Sequence, residues 1–172
     1  MMRRHIMIDL ETLGVGDHAA ITQIGLVEFR GHVECQWNIR AEDWAGGIEP
    51  QTLLWWLRQG EAARASALDQ ANAVSLAGAI REVAEVLAGA RTLWANSPNF
   101  DIRLLRQAYE RTGATWPFSF RIERDLRTLA ALPGAKDVRP PRDPEKEHIA
   151  VEDARHQADW VVAIYKMLGK EL

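Results

Sequence analysis

The chain has 172 residues, 47% of them hydrophobic and 26% charged, and a net charge of −3 from 21 basic and 24 acidic side chains. Such a length suits one domain (1–172) around one core, and the composition excludes a disordered chain. The acidic balance argues against avid, non-specific binding of long nucleic acid, and the short apolar runs exclude a membrane span. Cys35 is the only cysteine, so neither an intrachain disulfide nor a thiolate zinc cluster is available.

The first residues run directly into a strand-like segment, so no signal peptide is expected and a cytoplasmic protein is the simple reading. His5 to Leu10 is a short apolar run that reads as a buried strand. Ile21–Phe29 and His32–Ile39 alternate as strands, joined by a tight turn at Arg30-Gly31. Pro50–Arg58 is a short helix with proline in its first turn and Gly60 past its end. Leu76–Leu87 has apolar residues at helical spacing and is closed by Gly89; Arg91–Ala95 is another buried strand. From Asn99 to Arg111, Phe100, Leu104 and Ala108 share one helix face, and Gly113 stops the helix. Phe118–Ile122 reads as a strand and Asp125–Leu132 as a short helix. Lys136–Glu147 is rich in proline and charge, the composition of an exposed, mobile loop. A last helix, Val151–Leu168, turns Ala158, Val161, Val162 and Tyr165 inward. Consecutive hairpin strands rule out a purely parallel sheet. The expected fold is therefore α/β, with a central mixed sheet of about five strands and helices on both faces.

Two carboxylates, Asp9 and Glu11, stand two apart at the end of the first strand and so point to one face. Burying two anions side by side is costly unless a cation neutralises them, and an all-oxygen pair suits Mg²⁺ or Mn²⁺. A solvated strand end is the plainer alternative. Asn96 to Asp101 follows the second buried strand and opens a helix, where Asn99 or Asp101 also suits a cap or a first-turn acid. His148 and Asp153 are five positions apart, roughly 140° around a helix, so they converge only if His148 lies in the loop and Asp153 in the helix.

Asp9-x-Glu11, Asn96 to Phe100-Asp101 and His148-x-Ala150-x-x-Asp153-Ala154 together resemble, in order and spacing, the three motifs of the DEDDh 3′–5′ exonuclease superfamily. Leu54-Trp55-Trp56-Leu57-Arg58-Gln59, Ala63-Arg64 and Arg124 to Leu129 are similar to the phage exodeoxyribonuclease A and mycobacterial-type 3′–5′ exoribonuclease branch. The resemblance runs from about Ile6 to Trp160. It implies an RNase H-like fold and hydrolysis of single-stranded or short RNA or DNA from the 3′ end to nucleoside 5′-monophosphates. It further implies that Asp9, Glu11, Asp101 and Asp153 hold two divalent cations, Mg²⁺ or Mn²⁺, with His148 as general base. Two alternatives carry a different chemistry: a catalytically silent nucleic-acid-binding module on the same fold, and an RNase H-like endonuclease.

Thr12 is expected beside the terminal nucleotide, with a plain turn residue as the alternative. Trp55 and Trp56 cannot both face the core, and Trp56 is the one assigned to stack on a base. Asp125 reads as a helix cap, and Arg121, Arg124 and Arg127 as a charged helix face. A homodimer is compatible with the sequence, which carries no decisive feature for one.

Overall fold

The structure, a computed structural model, describes residues 4–44 and 47–172. Five strands form one mixed sheet: β1 (Arg4–Thr12), β2 (Ile21–Glu28), β3 (Glu34–Asn38), β4 (Ala90–Ala95) and β5 (Glu123–Asp125). Their spatial order is β3-β2-β1-β4-β5, with β1 antiparallel to β2, β2 antiparallel to β3, and β1–β4 and β4–β5 parallel. Six α-helices among the described residues accompany the sheet: α1 (Pro50–Trp56), α2 (Glu61–Ala67), α3 (Leu76–Leu87), α4 (Asp101–Arg111), α5 (Leu126–Ala130) and α6 (Ala150–Met167). Among the described residues, no helix is long and apolar enough to cross a membrane.

Strand alternation decides which core each residue joins. Ile6, Ile8 and Leu10 enter a large core with Ile80, Val83 and Leu87 of α3 and Ile102, Leu105 and Tyr109 of α4. Met7 faces the other way, into a second core with Trp94, Leu126 and the α6 residues Ala154, Ala158, Val161 and Ile164. Asp9 and Glu11 continue the Met7 face, so the strand aims both carboxylates at α6.

Gly25 permits α6 to come close enough. A Cβ on Gly25 would lie 2.3–2.6 Å from the backbone C and O of Ala150 and the N of Val151. Gly25→Ala should therefore push the start of α6 off β2 and cost on the order of 3 kcal/mol of stability, read by denaturant unfolding. Because the same turn of α6 carries Asp153, a shift of about 1 Å should also reduce any activity of the site by roughly 10²-fold.

Two local expectations are corrected. The β2–β3 connection is longer than a two-residue turn: Glu28 N donates to Val33 O, and the strand begins at Glu34 rather than His32. Phe118–Ile122 is not a strand. Ser119 Oγ accepts from Arg121 N and caps a 3₁₀ turn over Phe120–Ile122, and pairing with β4 starts only at Glu123. Helix α2 was not legible because its inward residues are only Ala63 and Ala67, too small to mark a period. The proline-rich loop is mostly exposed, as expected, and is tied to the body at its first half. Trp160 Nε1 donates to Ala135 O (2.8 Å), the Arg139 guanidinium lies 4.7 Å from the Trp160 ring, and a His156 ring nitrogen hydrogen-bonds Pro140 O (3.0 Å).

Candidate active site

The last pairing of β1 with β4 is Ile8 with Ala95, so Asp9 to Thr12 extend past the end of β4. That overhang leaves a crevice beyond the carboxyl ends of two parallel strands, the usual place for a site in an α/β sheet. A shift in β1–β2 register between Glu11 and Thr12 re-aims the end of the strand there. Asp9 and Glu11, buried at 8% and 7% exposure, form the floor.

Two further carboxylates come from helix starts. Asp101 opens α4, and its two oxygens accept hydrogen bonds from Leu10 N (3.3 Å) and Ser97 N (3.4 Å). Asp153 lies in the first turn of α6; one oxygen accepts from His148 N (3.3 Å) and the other is ion-paired with Arg142. All four line one cavity of about 600 Å³, together with Thr12, Trp55, Asn96, Arg127, Arg142, His148 and Gln157. One ligand atom from each of Glu11, His148 and Asp153 lies within 4.8 Å of the others, close enough to share a cation.

His148 precedes α6, so it and Asp153 converge as loop and helix residues can. Its φ of 62° is left-handed, which is strained for a residue with a Cβ. The ring stands edge-on to Trp55, centroids 4.7 Å apart.

Electrostatics set this cluster apart from an ordinary acidic surface. Burial, and then repulsion from Asp101, Glu11 and Asp153, holds the Asp9 carboxyl well above its usual range, against a hydrogen bond from Gln157. Glu11 is raised in the same way by burial and by Asp153 and Asp101, with Arg142 opposing. Burial lifts Asp101 to about 7 despite its backbone donors and Arg127. Asp153 is raised by burial too, with Arg142 the main opposing charge. A site that resists holding its own negative charge fits divalent cations on oxygen ligands.

Thr12 lines the cavity but its hydroxyl donates to Gly14 O (2.6 Å), as a turn residue's does. The assignment of Trp56 to a base is corrected. Its indole N–H donates to Thr12 O (2.8 Å) and the ring is buried at 2% exposure with Leu13, Ala20, Ala63 and Ala67. Trp55, 40% exposed and on the cavity wall, holds the position given to its neighbour. Asp125 caps α5, its carboxylate accepting from Thr128 N (3.1 Å). Of the three arginines read as a charged face, Arg127 reaches the cavity.

Sequence reasoning also missed Gln157, whose Nε2 donates to Asp9 Oδ1 at 2.7 Å. The signal was present, since Gln157 is four positions after Asp153 and so on the same face of α6. Gln157 also lines the cavity, while its Oε1 is buried without a hydrogen-bond partner.

Comparison with known proteins accords with this geometry. A family described as the 3′–5′ exoribonuclease Rv2179c-like domain matches residues 4–165. The chain belongs to that family. Among solved structures, it is similar to E. coli Exonuclease I in complex with a 5cy-dT13 oligonucleotide, with a TM-score of 0.67 at 14% identity over 97% of this chain. It spans 41% of the Exonuclease I chain. S. pombe Pop2p, in a Mg²⁺- and Mn²⁺-bound form, gives a TM-score of 0.61 at 15% identity, covering 94% of this chain and 82% of that one. No curated protein matches the chain in sequence. The chain thus has the RNase H-like fold, and the family it belongs to is one of 3′–5′ exonucleases.

Proposed function

We propose that the chain is a metal-dependent 3′–5′ exonuclease of the DEDDh type that releases nucleoside 5′-monophosphates from single-stranded or short RNA, with DNA a slower substrate. The observation that carries this reading is the buried quartet of Asp9, Glu11, Asp101 and Asp153 under an open cavity, all four raised by burial beyond what Arg142 and Arg127 offset. These four would hold two divalent cations, Mg²⁺ or Mn²⁺. When bound, such ions supply an acidified water and positive charge around the phosphorus. His148, at the cavity wall beside Glu11 and Asp153, takes the proton of the attacking water. Gln157 fixes the orientation of Asp9, and Thr12 lies where the terminal sugar passes. The family description names RNA, which favours RNA over DNA here.

The test uses 5′-labelled single-stranded RNA and DNA of equal sequence with Mg²⁺ or Mn²⁺. The expected result is a ladder shortening from the 3′ end, faster on RNA and abolished by EDTA. Internal cuts would indicate an endonuclease, and binding without shortening a silent module.

Trp55 presents an exposed indole at the cavity wall, and base–aromatic stacking is worth about 1–3 kcal/mol per base. Trp55→Ala should raise KM for a short oligonucleotide by about ten-fold or more, with Trp55→Phe recovering most of it. Equal KM values for all three proteins would remove Trp55 from substrate binding.

A further inference from the structure

Among the described residues, Arg142 alone forms an ion pair with one of the four carboxylates. Its guanidinium pairs with Asp153 Oδ1 through Nη2, while Nε lies 3.4 Å from Glu147 Oε1. The other oxygen of Asp153 accepts the His148 backbone N–H, so Oδ1 is the oxygen that carries the ion pair. A cation that coordinates Oδ1 meets the guanidinium already there.

The loop around Arg142 is held on both sides of it. Before it, Arg139 and Pro140 are tied to Trp160 and His156 of α6. After it, Asp143 Oδ1 accepts from Glu145 N (3.0 Å) and caps a 3₁₀ turn over Pro144–Lys146. The guanidinium itself borders the cavity that holds Thr12, Trp55 and the carboxylates, and it is 26% exposed. A phosphodiester entering this cavity would offer paired oxygens that the guanidinium fork fits.

We propose that Arg142 is an exchangeable counter-ion: it occupies Asp153 while the site lacks divalent cations, and turns to a phosphate of the substrate once they displace it. The inference rests on the nuclease reading above and adds to it a residue outside its three motifs. Its signature is a pair of opposite effects. Removing the guanidinium removes a competitor of the metal and a partner of the substrate.

The experiment follows Mn²⁺ binding to the full chain by the loss of the aqueous Mn²⁺ paramagnetic-resonance signal, for wild type, Arg142→Gln and Arg142→Lys. Arg142→Gln should bind Mn²⁺ about three- to ten-fold more tightly, the range of a partly buried ion pair. At saturating Mn²⁺ its KM for a short oligoribonucleotide should rise about ten-fold, and the salt dependence of binding should lose about 0.7 from its logarithmic slope, one phosphate contact on a single strand. Arg142→Lys, which keeps the charge without the fork, should fall between the two on both measures. Unchanged or weaker Mn²⁺ binding by Arg142→Gln would overturn the proposal, since Arg142 would then support Asp153 as a ligand rather than compete with the ion. Wild-type protein that neither binds Mn²⁺ nor shortens RNA would instead remove the nuclease reading and this inference with it.

Discussion

Asp9→Asn should produce a metal-free protein more stable than wild type and an enzyme slower by about 10³-fold or more. Both effects come from one cause. Asp9 is buried among Glu11, Asp101 and Asp153, and its charge is unfavourable until cations arrive. An amide fills the same volume without the charge and still offers an oxygen to Gln157 Nε2. Linkage gives the sign of the accompanying pH dependence. The raised carboxyls keep protons in the folded state that the unfolded chain has released above about pH 4. Folded protein therefore binds more protons between that point and about 7, the value for Asp101, and the stability of metal-free wild type falls as pH rises through that window. At pH 8, Mg²⁺ or Mn²⁺ should raise the wild-type melting temperature by about 5–10 °C; at pH 5 the rise should be far smaller. Asp9→Asn should melt higher than wild type in EDTA at pH 8 and gain less from metal. Thermal melts at both pH values, with EDTA or Mn²⁺, check the stability claims, and initial rates on labelled RNA check the loss. A variant within ten-fold of wild-type activity would take Asp9 out of the metal site.

The spacing of chemistry-bearing residues was more legible in the sequence than the identity of the residues around them. Asp9 and Glu11 follow Ile6, Met7 and Ile8 on a buried strand, so period two alone put them on one face. The five-residue separation of His148 and Asp153 required a loop-to-helix junction, and α6 does begin at Ala150, between them. Neighbouring tryptophans were another matter. Helix geometry says that Trp55 and Trp56 diverge by about 100°, but not which one meets the core. That was decided by a distant acceptor, Thr12 O, which the indole of Trp56 reaches. Arg142 was illegible for a related reason: a segment rich in proline and charge reads as solvated, and ties to α6 such as those of Arg139, Pro140 and Ala135 bring it back over the site. Phe120 misled in the opposite direction. An apolar residue in an alternating run suggests a strand, yet it is 71% exposed on a 3₁₀ turn, where no face needs it.

His148→Ala should lower kcat by about 10²–10⁴-fold and change KM by less than about three-fold. The ring stands over the same space as the Glu11 and Asp153 oxygens, held edge-on by Trp55, so its loss removes a proton acceptor without emptying the floor of the cavity. The attacking water must then give its proton to solvent, and log kcat should climb with pH at a slope near one where the wild-type profile levels off. Two neighbouring outcomes separate the general base from other roles. If the imidazole were chiefly a metal ligand, His148→Ala would weaken Mn²⁺ binding strongly, whereas a base leaves it nearly unchanged. The backbone supplies the second comparison. At φ 62°, a Cβ is strained and glycine is not, so His148→Gly should be more stable than His148→Ala by about 1 kcal/mol while being just as slow. A glycine variant no more stable than the alanine one would mean that this left-handed turn is not a fixed part of the structure. Strain present and rate lost in both variants would mean that the chain keeps His148 in an unfavourable conformation because its ring there faces the acidic floor, as strain is retained at functional sites.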